Sequence, residues 1–283
     1  MEISALQKIC FQLSFEDFCF FRDKISAKAG IHLPDIKLNL VQARLRKRVL
    51  KLGFQDYESY RLYLEALPDF HEEWVVFINL LTTNKTEWFR EEKHFKFITE
   101  EFLPRWIKLG KKHLRVWCAA SSTGEEAYTL SLVLNLALRG TGITYEIIAT
   151  DINTNVLSLA ENGVYQSSHL SRIPAAYHDG FTIGSDDLRD WMRVNSSIKE
   201  KVSFNYFNLN NTPYRWKEKF DLTLCRNVMI YFNRQTIGRE VEAIHESSAK
   251  ESVLIVSYSE TLQNTNSSWT YLTPSIYTKG KLF

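Results

Sequence analysis

The sequence predicts an α/β protein in which a helical region precedes a Rossmann-like, mostly parallel sheet. Residues 1–80 show helical periodicity, with no strand-like segment between the helices. From about His113 onward, continuous apolar runs alternate with helical segments, a pattern typical of a parallel sheet covered on both faces. Residues 165–200 interrupt that alternation with Gly180, Gly184 and the alternating patch DWMRVN, which indicates a small inserted antiparallel element.

Four helices are predicted in the first region, and the first has signals at both ends. Ser14 with Asp17 resembles the start of a capping box, and Gly30 is placed to end that helix. The second is predicted at about residues 36–52, the third from about Tyr57 to just before Pro68, and the fourth at about residues 70–81.

The second of these helices carries an unusual run of charge. Between Lys37 and Lys51 it has six basic residues and no acidic residue. Four of them have the i, i+3, i+4, i+7 spacing that places side chains on one helix face. Two interpretations remain open: a solvated surface, or a surface that binds an acidic partner, since solubility alone usually mixes both signs of charge. The four residues are Arg44, Lys47, Arg48 and Lys51.

The second region alternates strands and helices in a regular order. The predicted strands contain the segments HLRVWCAA, TYEIIATD, KVSFNYF, FDLTLCRN and ESVLIVSYS. Helices are predicted between them at about residues 124–138, 154–161 and 234–248. Ligands of such sheets bind at the carboxyl ends of the strands, so the residues that follow each strand are the first candidates for a site.

Composition and charge argue against several classes of protein. With 35 Lys and Arg against 33 Asp and Glu, the net charge of +2 gives no overall attraction to nucleic acid or membrane. The four cysteines, at positions 10, 19, 118 and 225, lack a metal-binding spacing and are expected to be buried thiols. The segment MEISALQKIC does not resemble a signal peptide, and the apolar run at residues 74–81 is too short to span a bilayer. A cytoplasmic protein without a metal is therefore expected.

The loop after the first strand has small residues followed by two acids, in the segment CAASSTGEEAYTL. Asp151, at the end of the second strand, is placed to accept hydrogen bonds from vicinal ribose hydroxyls. Carboxylates in a first helical turn would repel a pyrophosphate, so Glu125 and Glu126 favour a ligand with nearby cationic groups. S-adenosylmethionine has an ammonium and a sulfonium and no phosphate. The loop alone leaves a second interpretation open, in which the acids merely complement the helix dipole.

Five ordered segments carry a resemblance to a known family. They are TTNKTEWFRE at residues 82–91, ASSTGEEAYTL at 120–130, FNLN at 207–210, LCRNVMIYF at 224–232 and SYSETL at 257–262. The segment GIHLPDIKLNLVQARLRKRV in the helical region adds to them. Together they resemble the chemotaxis receptor glutamate O-methyltransferases, the CheR family, over nearly the whole chain.

The resemblance implies a fold, a cofactor and a reaction. The fold is a Rossmann-like class I SAM-dependent methyltransferase sheet at residues 81–283, with an N-terminal all-helical domain at residues 1–80 and a small inserted antiparallel β-subdomain at about 165–200. The reaction is methyl transfer from S-adenosylmethionine to glutamate side chains of methyl-accepting chemotaxis receptors. It gives glutamyl methyl esters and S-adenosylhomocysteine and serves sensory adaptation. No metal, nucleic acid or membrane insertion is implied, and a monomer is the default expectation.

The same resemblance implies the residues of the site. Arg90 and Tyr231 resemble the catalytic pair nearest the reacting methyl group, where a guanidinium holds one carboxylate oxygen of the acceptor. An alternative left open is that Arg90 pairs mainly with the cofactor carboxylate. The implied cofactor-binding residues are Asn84, Thr86, Arg90, Glu126, Asp151, Asn208, Leu209, Arg226 and Asn227.

Three positions depart from the family pattern without removing an implied cofactor contact. Ala127 replaces a usual proline, Trp88 a usual phenylalanine and Tyr258 a usual histidine. The aromatic wall at Trp88 is expected to be preserved, whereas any role of the histidine is in doubt.

The resemblance also implies partner surfaces, and it leaves rival hypotheses. Receptor methylation sites lie on glutamate-rich cytoplasmic helices, and the face of Arg44, Lys47, Arg48 and Lys51 is a candidate to dock there. The β-subdomain resembles one that in some members binds a tethering peptide, a question that stays open for this chain.

The rival hypotheses are a CheR-like scaffold or sensor without receptor methylation, a methyltransferase of another substrate class, and a dinucleotide oxidoreductase, which the acid pair disfavours.

Overall fold

The computed structural model describes residues 11–283, which divide into two compact units. The helical unit ends at Thr83 and also includes the short segment Tyr231–Asn233. The sheet unit comprises Asn84–Ile230 and Arg234–Phe283. Cys10, expected to be a buried thiol, lies outside the described residues, whereas Cys118 and Cys225 are buried and Cys19 is partly exposed.

The helical unit contains the four predicted helices. Ser14 caps the first through its side chain, which accepts a hydrogen bond from the Asp17 backbone N–H at 3.0 Å. Gly30 ends it in the left-handed conformation, with φ of 72°, and donates to the Ser26 carbonyl. The helices are α1 (Phe15–Ala29), α2 (Leu38–Lys51), α3 (Tyr57–Ala66) and α4 (Glu72–Leu81).

Aromatic side chains form much of the core of the helical unit. Phe21 of α1 packs against Tyr60 of α3 and Phe77 of α4, with ring centroids 5.9 Å apart in both pairs. The segment Tyr231–Asn233 joins this unit through backbone contacts. Ile31 pairs with Phe232 in an isolated bridge, and the His32 N–H donates to the Tyr231 carbonyl at 2.7 Å. The sequence motifs instead predict that residues 231–233 belong to the second domain.

The sheet unit begins with helices that the sequence pattern did not predict: α5 (Lys93–Phe97), a π-helical turn (Ile98–Phe102) and α6 (Leu103–Lys108). The expected alternation follows, with β1 (His113–Ala119), α7 (Glu125–Ala137), β2 (Thr144–Asp151) and α8 (Thr154–Asn162). After the insertion come β6 (Val202–Tyr206), β7 (Phe220–Cys225), α10 (Arg234–Ser247), β8 (Ser248–Ile255), β9 (Thr270–Thr273) and β10 (Ile276–Lys279).

Seven strands form the main sheet in the order β6-β2-β1-β7-β8-β10-β9. The first five in this order are parallel, and β10 runs antiparallel to both of its neighbours. The final hairpin was not predicted, because β9 and β10 have four residues each and β9 has no buried residue to give a periodic signal. The chain proceeds outward from β1 to β2 and on to the edge strand β6, and then crosses to β7 on the other side of β1, so the switch point lies beside β1.

The insertion forms a separate antiparallel sheet, as predicted. It contains β3 (Val164–Gln166), β4 (Phe181–Ile183) and β5 (Trp191–Val194) in the order β3-β5-β4, and the short helix α9 (Ser196–Lys199) follows it. Residues 11–283 contain no helix that is both long and apolar enough to cross a bilayer. The same described range shows no cluster of three or more side chains able to hold a metal ion.

One carboxyl group is buried in α10 without an obvious structural role. Glu240 is 1% exposed, and neither of its carboxyl oxygens has a hydrogen-bond partner within the described part of the chain. Burial raises the pKa of Glu240 to about 8, although the positive charge of Arg239 acts in the opposite direction. At neutral pH the Glu240 carboxyl is therefore mostly protonated in the folded protein. In the unfolded chain its pKa is about 4.3, so it is ionised there.

We expect this carboxyl to make the protein less stable as the pH rises. The stability that Glu240 contributes is full below about pH 4.3 and is lost as the pH rises through about 8, by up to about 5 kcal/mol. Urea unfolding at a series of pH values should show that decline, and Glu240→Gln should flatten it. Glu246→Gln, an exposed position on the same helix, serves as the control. A pH profile unchanged by Glu240→Gln would contradict the assignment.

Candidate cofactor site

The carboxyl ends of β1, β2 and β7 meet at one edge of the main sheet. Ala119, the last residue of β1, pairs with Thr150 of β2 and with Cys225 of β7. Beyond Ala119 the backbone turns sharply, with positive φ at Ala120, Ser122 and Gly124. Left-handed backbone at non-glycine residues is a source of strain that tends to concentrate at functional sites.

Gly124 is required by close packing as well as by its φ of 94°. A Cβ atom there would lie 2.9 Å from both the Ala160 Cβ and the Tyr165 hydroxyl oxygen. The loop can therefore approach α8 and β3 this closely only with glycine at this position. Gly124 therefore has a packing role at the start of α7.

Asp151 holds the end of β2 and the β1 loop together. Its Oδ2 accepts the Ser122 N–H and its Oδ1 accepts the Asn153 N–H, both at 2.8 Å. Burial raises the pKa of Asp151, while these backbone hydrogen bonds lower it. The carboxylate is therefore fixed in orientation at the strand end, as an acceptor for ligand hydroxyls requires.

Asn84 joins the same group of residues from the loop after α4. Its carbonyl oxygen accepts the Ser122 hydroxyl at 2.8 Å, and its Oδ1 accepts the Asn153 amide at 2.9 Å. Thr86 is half-buried two residues later in that loop. Two distant segments of sequence, around residues 84 and 122, are thus brought together.

The acid pair has two different sets of partners. Glu125 is buried and accepts the Thr123 hydroxyl at 2.6 Å, and burial raises its pKa. Glu126 is partly exposed, with Oε1 accepting the Cys118 thiol at 3.2 Å and Oε2 paired with Arg226 Nη1 at 2.5 Å. Glu126 is therefore the member of the pair that can reach a ligand, although an internal arginine already neutralises part of its charge.

Arg226 lies behind the site, and its side chain is fully buried. Besides Glu126, its Nη2 donates to the Arg90 carbonyl at 2.5 Å and pairs with Glu91 Oε2 at 3.1 Å. The resemblance implied that Arg226 binds the cofactor. The buried guanidinium holds two carboxylates and a backbone carbonyl, and its implied contact with the cofactor stays a prediction.

The segment around Arg90 is a strained turn. Phe89 and Glu91, on either side of it, have φ of 53° and 57°. The Arg90 side chain is half-buried, and in residues 11–283 its guanidinium has one hydrogen bond, to the Lys85 carbonyl at 3.2 Å. Trp88 packs edge-to-face on Tyr165 and Phe181 of the small sheet, which preserves an aromatic wall at this position.

The loop after β7 is held by a residue that was not assigned a role. Glu260, inside the segment SYSETL, accepts the N–H groups of Asn227 at 3.0 Å, Met229 at 2.9 Å and Ser257 at 2.8 Å. Asn227 has φ of 60°, so this carboxylate supports a second strained position at the sheet edge. The position of Glu260 inside SYSETL, a segment that resembles a family motif, is the sequence signal that could have indicated this role.

Asn208 and Leu209 lie just beyond β6, and both are buried. The Asn208 Oδ1 accepts the Asn210 N–H at 3.0 Å, and the Leu209 carbonyl accepts the Tyr214 hydroxyl at 2.7 Å. Tyr214 packs edge-to-face on Trp117 of β1. This end of the sheet is therefore apolar and aromatic, which suits a flat base.

Five implied residues belong to the helical unit, whereas the implied cofactor-binding residues belong to the sheet unit. Tyr231 is half-buried there, so its predicted pairing with Arg90 stays a prediction. Arg48 pairs with the buried Glu73, and the Arg44 guanidinium donates to the carbonyls of Leu81 and Thr82. Residues 37–51 contain no acid, but Glu73 of α4 pairs with Arg48, a contact that the spacing of residues within α2 does not reveal. Lys47 and Lys51 are exposed.

The charges of the sheet-unit site can be compared with the expected cofactor. Arg226 faces two carboxylates, so this buried group carries one net negative charge, and Asp151 adds another at the end of β2. A pyrophosphate would be repelled there, whereas a ligand with an ammonium group and vicinal hydroxyls matches both carboxylates. The residues present therefore fit S-adenosylmethionine.

Comparison with known proteins agrees with this fit. Residues 84–277 match the family model described as CheR methyltransferase, SAM binding domain, and residues 16–82 match CheR methyltransferase, all-alpha domain. The chain belongs to the CheR methyltransferase family. It is a SAM-dependent methyltransferase with S-adenosylmethionine as its cofactor.

Curated relatives cover nearly the full chain. It is 34% identical to the chemotaxis protein methyltransferase of Salmonella typhimurium, over 93% of this chain and 90% of that protein. The Escherichia coli chemotaxis protein methyltransferase is 31% identical, with 99% of this chain and 97% of that protein covered. The protein of the same description from Borreliella burgdorferi is 30% identical over 89% of each chain.

Proposed function

We propose that the sheet unit transfers a methyl group from S-adenosylmethionine to glutamate side chains of chemotaxis receptors, as a protein-glutamate O-methyltransferase. The observation that carries the proposal is the turn at Arg90, whose half-buried guanidinium has few internal partners and adjoins the acid-lined site. A guanidinium in that position suits an anionic acceptor better than a neutral hydroxyl or amine. The names of the curated relatives support the same substrate class.

The fixed carboxylates are proposed to orient the cofactor. Asp151 would accept the ribose hydroxyls, and Glu126 would face the ammonium group of the methionine portion. Asn208 and Leu209 would border the adenine, with Asn84, Thr86 and the Asn227 backbone completing the pocket. When bound, S-adenosylmethionine supplies an electrophilic methyl group on a cationic sulfur.

The acceptor needs orientation more than activation. A glutamate side chain is ionised at neutral pH, with a pKa of about 4.3, so no general base is required. Arg90 is proposed to bind one carboxylate oxygen, which directs the other toward the methyl group, and Tyr231 to orient the same carboxylate. Exclusion of water then strengthens these contacts and desolvates a weak nucleophile. The reaction is placed in the cytoplasm, where the receptor helices lie.

Labelled cofactor provides the direct test. The protein is incubated with tritiated S-adenosylmethionine and receptor-containing membranes, and methyl groups released by base are counted. We expect base-labile label on receptors, because methyl esters hydrolyse in base. Binding of S-adenosylhomocysteine without any receptor label would leave a cofactor-binding scaffold and refute the proposal.

Receptor docking is proposed for the exposed lysines of α2. Lys47→Glu with Lys51→Glu should lower receptor methylation by about 10-fold, because rim charges mainly affect association with an oppositely charged partner. Binding of S-adenosylhomocysteine, measured by calorimetry, should be unchanged. Arg48 is unsuitable for this test, since its reversal would place two carboxylates together at buried Glu73.

The control for this experiment reverses two exposed lysines of the sheet unit, Lys201 and Lys217. Both double variants change the net charge equally, so a general charge effect would lower methylation in both. Equal loss in the two variants would remove the assignment of the docking surface to α2. High salt should lower the methylation rate of the wild-type protein toward that of the α2 variant, because salt screens the charges of the docking surface. This convergence of the two rates would support the assignment.

A further inference from the structure

A buried tyrosine of the small antiparallel sheet contacts the loop that follows β1. Tyr165, the central residue of β3, is 7% exposed. Its hydroxyl donates to the Thr123 carbonyl at 2.7 Å, and the two residues are 42 positions apart in the sequence. The same hydroxyl oxygen lies 2.9 Å from where a Cβ atom of Gly124 would be. All three residues belong to the sheet unit, so one compact unit contains both sides of this contact.

The other hydrogen bonds of the β1 loop show what this contact adds. The Ser121 N–H donates to the Thr150 carbonyl, and the Ser122 N–H donates to the Asp151 Oδ2, both at 2.8 Å. The end of β2 therefore holds the first half of the loop. Within residues 11–283, the Thr123 carbonyl accepts one hydrogen bond, from the hydroxyl of the β3 tyrosine. The second half of the loop is thus held from the small sheet.

The environment of Tyr165 keeps its hydroxyl as a donor. Burial raises the pKa of Tyr165, and the negative charge of Glu125 raises it further. The hydroxyl is therefore protonated at neutral pH, and the carbonyl oxygen that it contacts can only accept. Removal of the hydroxyl would leave that carbonyl without its internal donor, which lowers the stability of this conformation of the loop.

The ring of Tyr165 contacts a second part of the site. Trp88 packs edge-to-face on this ring, with centroids 5.0 Å apart, and it immediately precedes the left-handed residues Phe89 and Glu91 on either side of Arg90. The ring therefore packs beside the turn at Arg90, whereas the hydroxyl holds the β1 loop. Tyr165→Phe removes the hydroxyl and keeps the ring, so it separates these two contacts.

We propose that Tyr165 is a positioning residue for S-adenosylmethionine, because its hydroxyl holds the β1 loop in the conformation that binds the cofactor. Ala120 and Ser122 in this loop have φ of 61° and 51°, and such strained conformations persist only where contacts enforce them. Without the hydroxyl, fewer molecules have the loop in this conformation, and the apparent affinity falls by the same fraction. The small sheet thereby contributes to cofactor binding, whatever the methyl acceptor is.

Calorimetry with S-adenosylhomocysteine tests this role. Tyr165→Phe should weaken the affinity about 3- to 10-fold, the usual range for the loss of one net hydrogen bond. Tyr128→Phe is the matched control, because the Tyr128 hydroxyl is also buried and donates to a backbone carbonyl, that of Ala160 in α8, at 2.8 Å. The two tyrosine rings are neighbours, with centroids 6.3 Å apart. We expect the control to keep the wild-type affinity, and equal weakening in both variants would overturn the proposal.

Amide hydrogen exchange, measured by NMR, observes the loop without a ligand. The N–H groups of Ser122 and Gly124 are both hydrogen-bonded, so their exchange reports how often the loop opens. Tyr165→Phe should make both exchange about 3- to 10-fold faster, and Tyr128→Phe should leave both unchanged. Unchanged exchange in Tyr165→Phe would overturn the proposal. Faster exchange throughout the sheet unit would also overturn it, because the effect would then be a general loss of stability.

Kinetics give a further readout, which rests on the proposed function. Because Tyr165→Phe keeps the ring contact with Trp88, the KM for S-adenosylmethionine should rise about 3- to 10-fold while kcat stays within about 2-fold of wild type. A lower kcat with unchanged affinity for S-adenosylhomocysteine would overturn the assignment of the hydroxyl to the β1 loop. Absence of receptor methylation in the wild-type protein, together with the expected loss of affinity in Tyr165→Phe, would refute the proposed function alone. The two failures are therefore distinguishable.

Discussion

Arg90→Ala is expected to lower receptor methylation by about 100- to 1000-fold, the usual cost of removing one preorganised group that acts on charge in the transition state. The protein should still fold, because the only hydrogen bond that the Arg90 guanidinium makes in residues 11–283 is to the Lys85 carbonyl. Initial rates with tritiated cofactor and receptor membranes measure the effect. Arg139→Ala, at an exposed arginine after α7, is the control.

A second measurement decides between the two roles considered for Arg90. If the guanidinium binds the acceptor, Arg90→Ala should leave the affinity for S-adenosylhomocysteine within about 3-fold of wild type. If it binds the cofactor carboxylate, that affinity should fall together with turnover. Arg90→Lys keeps the charge but loses the planar fork, so it should restore only part of the rate when two-point contact with a carboxylate matters.

Arg226→Met is expected to lower the free energy of unfolding by about 3–5 kcal/mol, because it leaves two carboxylates without their common cation in a buried environment. Urea unfolding of the full chain measures this loss. Arg105→Met removes a partly exposed arginine from its i, i+4 pair with Glu101 and should cost at most about 1 kcal/mol. A loss of that smaller size for Arg226→Met would mean that Glu91 and Glu126 are far better solvated than their contacts indicate.

A charge-balanced variant separates the lost cation from the lost packing. Arg226→Met combined with Glu91→Gln and Glu126→Gln removes all three charges, and it should recover much of the stability. It should not recover cofactor affinity, since Glu126 is proposed to face the ammonium group. Recovery of stability without binding would assign Arg226 to the support of the pocket and Glu126 to the ligand.

Local sequence signals were sufficient where neighbours along the chain set the structure. Ser14 and Gly30 delimit α1 because a side-chain cap and a left-handed glycine act within one helical turn. The apolar runs that became β1, β2, β7 and β8 are buried because a parallel sheet is covered on both faces. Their order also indicated that Asp151 and the β1 loop lie at strand ends, where such sheets bind ligands.

The partners of the charged residues required the folded chain. Arg226 and Glu126 are 100 positions apart, and His94 and Ser275 are 181 apart, so no periodicity within one element could relate them. Arg48 has the same spacing from its neighbours whether it faces water or Glu73, and only the packing of α4 against α2 decides which. Likewise, residues 231–233 read as the end of a catalytic motif, yet their backbone pairs with residues 31 and 32 of the helical unit.

The sequence by itself thus determined the helical region, the parallel sheet with its antiparallel insertion, the family and the cofactor, because these depend on short-range patterns and on motifs whose residues are adjacent. The tertiary structure decided which charges are available to a ligand and which are already paired. That distinction depends on burial and on contacts across long loops, since a buried charge must find a partner from whichever element packs against it. Glu126 and Arg226 show the difference: the resemblance implies both as cofactor contacts, and the structure shows that they pair with each other, with the Arg226 side chain fully buried and that of Glu126 partly exposed.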